Sequence, residues 1–176
     1  MTTMNEIPTT QATGERADLL EKLAQARFFL RLTARDLTDE QAGLRPTASA
    51  LCLGGLIKHV AATEAAWADF ILRGTRAMDF GPDAMAEHAA TFEMLPGETL
   101  EGLLAQYAEV AARTDALVVE LPDLDVSHAL PEAPWFPPGA RWSARRVLLH
   151  IIAETAQHAG HADILRETVD GAKSMG

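Results

Sequence analysis

One stretch near the end of the chain decides the fold: Leu148-Leu-His-Ile-Ile-Ala-Glu-Thr-Ala-Gln-His-Ala-Gly-His-Ala-Asp-Ile-Leu-Arg-Glu167. It holds four side chains that can bind a metal, at spacings of 4, 4 and 3 residues: His150, Glu154, His158 and His161. A helix turns about 100° per residue, so these four side chains share a stripe roughly 80° wide. The neighbouring residues are largely apolar, which predicts a mostly buried helix. Because unpaired polar groups are costly in a protein interior, another group must pair with this stripe, and a metal ion is the leading candidate.

The composition favours one cytoplasmic domain. A chain of 176 residues is long enough for one hydrophobic core, and its net charge of −10 argues against a nucleic-acid partner. No apolar run in the sequence reaches the roughly 18 residues of a membrane span. The lone cysteine, Cys52, excludes an internal disulfide and fits a reducing cytoplasm. Residues 1–14 are polar without a signal-peptide pattern, so we expect a flexible N-terminal tail and a single domain over residues 15–176.

Helical periodicity predicts four long helices, over residues 15–37, 54–73, 99–121 and 143–170. Thr38 and Gln41 have capping-box spacing for a short extra turn after the first helix. Thr99 and Ser143 are the predicted N-caps of the third and fourth helices. No segment alternates apolar and polar residues as a strand would, so the sequence predicts an all-α protein.

Two long connections join these helices. Residues 74–98 carry turn signals and a predicted short helix over residues 83–92, where His88 is expected to be solvated. Residues 122–141 are proline-rich but hold Trp135 and Phe136. Aromatic residues argue against disorder, so this connection is predicted either to cap the end of the bundle or to form a wall of a substrate site.

The metal-binding pattern is the main chemical signal, because the sequence has no phosphate loop and no nucleophile elbow. A lone histidine such as His59 is usually a core residue, bonded to a carbonyl or here to Thr63. Alternatively, His59 joins Glu154 and His158 to give a three-ligand face in the bundle core. Such ligands suit zinc, and also nickel, iron or manganese. Glu64, further round the second helix, is predicted to lie at the surface or behind the ligands.

Three segments carry a resemblance: Leu53-Gly-Gly-Leu-Ile-Lys-His-Val60, Trp142-Ser143, and the motif from Leu148 to Glu167. Together they resemble the DinB/YfiT-like superfamily, in the branch related to mycothiol-dependent enzymes. The resemblance implies a four-helix bundle of up-down-down-up topology with a long crossover between the second and third helices. It also implies a divalent metal, most simply zinc, held by one histidine of the second helix and a pair on the fourth. On this sequence those positions are His59, Glu154 and His158, with Glu154 departing from the usual histidine.

The same resemblance implies a metal-dependent enzyme that uses a low-molecular-weight thiol, such as mycothiol, for S-transfer to small electrophiles or for their isomerisation. His161 is the expected catalytic residue, as an acid–base or supporting group facing the pocket, with direct ligation as the alternative. Contacts of the thiol are expected from Arg141, Trp142 and Arg145. The arginines Arg141, Arg145 and Arg146 could pair with an anionic substrate, but solvated surface charge is the favoured interpretation for at least two of them. We also expect a homodimer. The alternatives are a metal-binding stress-response protein without turnover and a plain bundle with a satisfied polar core.

Overall fold

The computed structural model describes residues 12–78, 81 and 83–174. Most of the tail predicted over residues 1–14 lies outside these residues. The helices are α1 (Glu15–Thr33), α2 (Asp39–Gly43), α3 (Leu53–Arg73), α4 (Ala84–Ala90), α5 (Leu100–Glu120) and α6 (Ala144–Asp170). A 3-10 turn (Gly74–Ala77) follows α3, and two short strands, β1 (Ser127–Ala129) and β2 (Arg141–Ser143), precede α6. The prediction of an all-α fold is confirmed. None of the described helices combines the length and apolarity that a membrane crossing requires.

The four long helices α1, α3, α5 and α6 form the bundle. Helix α6 packs between α1 and α3, and α5 packs mainly on α3. Near the end of α6, Arg166 donates to the carbonyl of Thr33 at the end of α1 (2.9 Å), so these two helices run parallel. Arg16 at the start of α1 donates to the carbonyl of Val118 near the end of α5, so this pair is antiparallel.

Helix α3 runs opposite to α6. The ring of His59 lies 4.9 Å from that of His158. Trp67, further along α3, lies 4.9 Å from His150, which comes earlier on α6. The order of directions is therefore up, down, down, up, with α4 in the crossover between α3 and α5, as predicted.

The predicted caps set the helix ends. The hydroxyl of Ser143 accepts from the backbone N–H of Arg146 (3.2 Å), and Gly171, at a φ of 80°, ends α6. Thr99 caps α5, and Thr38 forms a capping box at the start of α2. The first helix is shorter than predicted, because the chain leaves the helix after Thr33 and Asp36 adopts a φ of 61°.

A polar layer divides the core into two apolar clusters. One cluster includes Leu23, Trp67, Leu117 and Ile151, and the other includes Leu30, Leu56, Tyr107 and Ala162. Between them lie the buried side chains of Arg27, Glu64 and Thr155. The layer crosses the bundle at the level of Glu154, the residue of α6 that precedes Thr155.

The expectation that the chain has no strand is wrong at one place. Strands β1 and β2 pair antiparallel, with Ser127 opposite Ser143 and Ala129 opposite Arg141. Each strand has three residues, too few to show the alternation that marks a strand in a sequence. The pair holds the proline-rich connection against the start of α6, and Leu124 and Leu130 of that connection are buried in the core.

Candidate metal centre

His59 lies on α3 beneath the end of the crossover. Its residue surface is 4% exposed, and the ring of Phe92 stacks on it at 3.8 Å with an interplanar angle of 20°. Gly55 permits this approach, because a Cβ there would lie 2.0 Å from the carbonyl oxygen of Phe92. The glycines that open α3 are thus a packing requirement of the site.

Glu154 and His158 lie one turn apart on α6, with Nε2 of His158 at 3.7 Å from Oε2 of Glu154. Their side chains are 32% and 12% exposed, so this edge of the bundle is open to a small molecule. Helix α6 is less buried than its composition predicted. Leu149 and Ile164 are exposed because the helix packs mainly on α1 and α3, which leaves an outer face to solvent.

The structure brings the three predicted ligands together. One ligand atom from each of His59, Glu154 and His158 lies within 4.8 Å of the others. Two imidazole nitrogens and one carboxylate oxygen are a donor set that zinc accepts, at bond lengths of about 2.0–2.2 Å. Small side-chain rotations can therefore place all three donors on one ion. Three ligands leave a coordination position for a further group.

Hydrogen bonds on the far side of each ring select the nitrogen that faces the ion. The hydroxyl of Thr91 donates to the carbonyl of His88 (2.6 Å), so its oxygen accepts from Nδ1 of His59 (2.9 Å). That proton leaves Nε2 of His59 with a free lone pair, 3.4 Å from the hydroxyl of Thr63. The single lone pair of Nε2 can accept from Thr63 or bind an ion, so a bond to Thr63 and metal ligation are alternative states of the same nitrogen.

In His158, too, one ring nitrogen has a hydrogen-bond partner and the other lies on the side of the candidate ion. Its Nδ1 lies 3.3 Å from Nδ1 of His161, while Nε2 faces Glu154. In the tautomer in which Nδ1 of His158 carries the proton and donates it to His161, Nε2 of His158 is available for an ion. His161 therefore contacts the back of His158, and it is not in the three-residue group that can hold a metal.

Burial keeps these histidines neutral. Desolvation, with smaller contributions from His158 and His88, lowers the pKa of His59 to about 4. Burial also lowers the pKa of His158, against the opposing effect of Glu154. Neutral imidazole is the form that binds metal, so neither ring has to lose a proton near neutral pH before it can bind.

The crossover between α3 and α5 contributes to the site, which was not predicted from the sequence. The ring of His88 lies 5.2 Å from that of His59 and 5.5 Å from that of Phe92, although His88 itself is exposed. His88 was predicted to be merely solvated, because nothing in its local sequence shows that the crossover folds back over α3. The one available signal was the pair Gly54-Gly55, which marks a close approach of backbone.

Glu64 is not a surface residue. Its side chain is fully buried and pairs with Arg27, with Nε of Arg27 at 3.2 Å from Oε2 of Glu64. The same guanidinium donates to Asp115 at 2.8 Å. Although burial alone would lower the pKa of Arg27, the two carboxylates raise it. These three residues lie on three helices and stabilise the polar layer behind the candidate site.

A second group of side chains lies next to the triad of His59, Glu154 and His158, where α3 packs on α6. The indoles of Trp67 and Trp142 stack at 4.8 Å with an interplanar angle of 18°. His150 packs edge-on against both, with ring centroids at 4.9 and 5.0 Å, and the guanidinium of Arg146 lies 4.3 Å from the centre of the Trp142 ring. We call these four residues the aromatic cluster.

The other two predicted thiol contacts lie elsewhere. Arg145 pairs with Glu15 and Asp125 at the outer end of the bundle. Arg141 donates to the carbonyl of Ser127 across the strand pair (2.7 Å). Of the three residues predicted to bind the thiol, only Trp142 belongs to the aromatic cluster beside the triad.

Comparison with known proteins identifies the family of this chain and a protein of similar fold. The family model described as mycothiol-S-transferase matches residues 18–171. A search of curated proteins found no match. Among solved structures, the crystal structure of the conserved protein of locus from Enterococcus faecalis is similar, with a TM-score of 0.59 and 17% identity over 92% of this chain and 100% of that chain. At this identity the likeness shows the fold alone.

Proposed function

Because this chain belongs to the mycothiol-S-transferase family, we propose that it is a metal-dependent enzyme that transfers the sulfur of a low-molecular-weight thiol to small electrophiles. The observation that carries this proposal is the convergence of His59, Glu154 and His158 within 4.8 Å at an open edge of the bundle. The family supplies the reaction class and the triad supplies a place for it. The resemblance to the DinB/YfiT-like superfamily, now supported by the family match, implies the same ligand positions.

Zinc fits the donor set best, although nickel, iron and manganese accept the same ligands. A bound divalent ion would act as a Lewis acid that lowers the pKa of a thiol placed in the remaining coordination position. The mixed set of two neutral rings and one carboxylate leaves a net positive charge at the centre, which favours an anionic sulfur.

The residues of this chain orient and shield the reactants. Thr91 and His161 hold the two imidazoles through their far nitrogens, so the ligand lone pairs are pre-positioned. Phe92 covers one face of His59 and keeps water from that side. In the reaction a sulfur–carbon bond forms, the leaving group departs with its electron pair, and the thiol proton passes to solvent.

The roles predicted for the flanking residues are proposals of the same kind. We propose that His161 positions His158 and that Trp142 contacts a reactant. The direct acid–base role of His161 and the thiol contacts of Arg141 and Arg145 stay predictions. Both of these guanidinium groups are engaged by oxygen acceptors of the chain itself.

We also propose that the chain forms a homodimer. Exposed apolar side chains support this, notably Phe28 on α1, which is 54% exposed, and Val119 on α5, which is 38% exposed. Light scattering across micromolar concentrations should give twice the chain mass of 19.0 kDa. A single-chain mass throughout that range would contradict this.

The test of the proposed function is a thiol-dependent reaction that needs the triad. Zinc-loaded protein is mixed with mycothiol and 1-chloro-2,4-dinitrobenzene, and the absorbance of the thioether is followed. We expect a rate above background that falls after chelation and in His158→Ala, whereas His128→Asn, outside the site, keeps it. If no thiol, including N-acetylcysteine, reacts faster with the metal-loaded protein than without it, the chain is not an S-transferase.

A further inference from the structure

Two polar groups of the aromatic cluster have no hydrogen-bond partner within the part of the chain that the structure describes. They are the guanidinium of Arg146, which lies over the ring of Trp142, and the ring nitrogens of His150, which packs against both indoles and is close enough to Glu154 and Arg146 to interact with their charges. The contrast with Arg145 is informative, because that adjacent residue pairs with two carboxylates. Arg146 is exposed to solvent, and in a chain with 25 acidic and 15 basic residues it packs on an indole without pairing with a carboxylate of the described residues.

The packing holds Arg146 in place. Trp67 stacks on one face of Trp142, and the guanidinium of Arg146 lies over the ring at 4.3 Å. Trp67 and Arg146 cannot occupy the same face of Trp142, so the indole of Trp142 is held between them. Trp67 is buried in the core, which anchors the stack. The guanidinium is therefore pre-organised, and its N–H donors are available to a planar acceptor.

The cluster is adjacent to the triad. His150 precedes Glu154 by one turn of α6, which corresponds to about 6 Å along the axis. Trp67 follows His59 on the antiparallel α3, so both helices carry the cluster on the same side of the triad. A reactant of ordinary size can reach from the cluster to a sulfur beside the triad.

We propose that the aromatic cluster is a subsite for the carboxylate of one of the two reactants. The fork of Arg146 takes the two carboxylate oxygens, and an N–H of His150 donates to one of them. The carboxylate comes from either the electrophile or the thiol. The inference rests on the proposed function for what the reactants are, but the subsite itself can be tested by binding alone.

Benzoate and its neutral analogue benzamide are the binding probes, with tryptophan fluorescence as the readout. We expect benzoate to bind about tenfold more tightly than benzamide, since a charge-assisted pair is available to it alone. Arg146→Gln should abolish this preference, whereas Arg113→Gln, an exposed arginine on α5, should keep it. Titrations are run on zinc-loaded and on chelated protein. A preference that survives Arg146→Gln, or that is lost on chelation, overturns the proposal.

Alkylation kinetics then assign the carboxylate to one reactant. Iodoacetate is compared with iodoacetamide at fixed 2-mercaptoethanol, and 3-mercaptopropionate is compared with 2-mercaptoethanol at fixed iodoacetamide. The sulfur–carbon bond forms and iodide leaves in each case. Arg146→Gln should raise KM about tenfold for the carboxylated member of one pair with kcat unchanged. An unchanged KM in both pairs counts against the subsite. Absence of turnover in wild type with these thiols and with mycothiol refutes the proposed function, while the benzoate preference still decides the subsite.

Discussion

Nδ1 of His158 lies 3.3 Å from Nδ1 of His161, and Nε2 of the same ring lies 3.7 Å from Oε2 of Glu154. One ring thus turns its two nitrogens to two different neighbours on the same helix. When Nδ1 of His158 donates its proton to Nδ1 of His161, Nε2 on the Glu154 side is left with a lone pair for an ion. This relationship separates a candidate ligand from the residue that would orient it.

His161→Ala should weaken zinc binding about 10–100-fold without abolishing it, because His158 loses the acceptor that fixes its tautomer. His161→Gln should retain more affinity, since its amide oxygen can accept the same N–H. Competition with a chromophoric chelator measures both. Complete loss of zinc from either variant at millimolar zinc would make His161 a direct ligand, and unchanged affinity would remove its role.

Gly55→Ala should destabilise the protein by about 1–3 kcal/mol, because the new Cβ meets the carbonyl of Phe92 and the crossover must move. The displaced Phe92 should also uncover His59 and weaken metal binding. Gly160→Ala is the matched control. Its Cβ meets nothing within 4 Å, so it should stabilise α6 by about 0.5–1 kcal/mol. Denaturant unfolding measures both, and equal effects of the two substitutions would contradict the packing described here.

The metal-free protein should lose stability as the pH falls from about 6.5 to about 4. The pKa of folded His59 is lowered to about 4, so the unfolded chain takes up a proton in this window that the folded chain refuses. The loss attributable to His59 is up to about 3 kcal/mol. Chelated wild type is compared with His59→Asn, in which the loss should be smaller. Identical pH profiles for the two proteins would show that His59 is not buried neutral.

Glu64→Ala should cost about 3 kcal/mol or more, because it leaves the buried Arg27 with Asp115 as its remaining carboxylate. Asp69→Ala breaks an exposed ion pair with Arg73 and should cost less than about 1 kcal/mol. Thermal or denaturant unfolding of the two variants gives the comparison. Similar costs for both would mean that the polar layer contributes no more than a surface pair.

Local signals in the sequence predicted the four long helices and the two triad residues that lie on α6. Ser143 and Gly171 bound α6 through their own backbone chemistry, and the spacing of Glu154 and His158 follows from the helical turn. Contacts that depend on the path of a connection were not predictable. The position of His88 over His59 requires the crossover to fold back, which no local pattern encodes.

Partners distant in the chain explain what the sequence left open. Glu64 was predicted at the surface or behind the ligands, and its burial excludes the surface. The sequence did not distinguish the two alternatives because Arg27, its partner, lies 37 residues away on another helix. The environment of Arg146 was likewise not predictable among three nearby arginines: Arg146 packs on Trp142, whereas Arg145 pairs with carboxylates. Periodicity predicts which face of a helix is buried, but it does not predict which residue of another element packs against that face.

Metal content per chain tests the central claim most directly. Wild type, His59→Ala, His158→Ala and the control His128→Asn are reconstituted with zinc, passed through a desalting column and analysed by mass spectrometry for bound metal. The account predicts about one zinc per chain in wild type and in His128→Asn, and little or none in the two triad variants. Full occupancy in His158→Ala, or no retained zinc, nickel, iron or manganese in wild type, would contradict it.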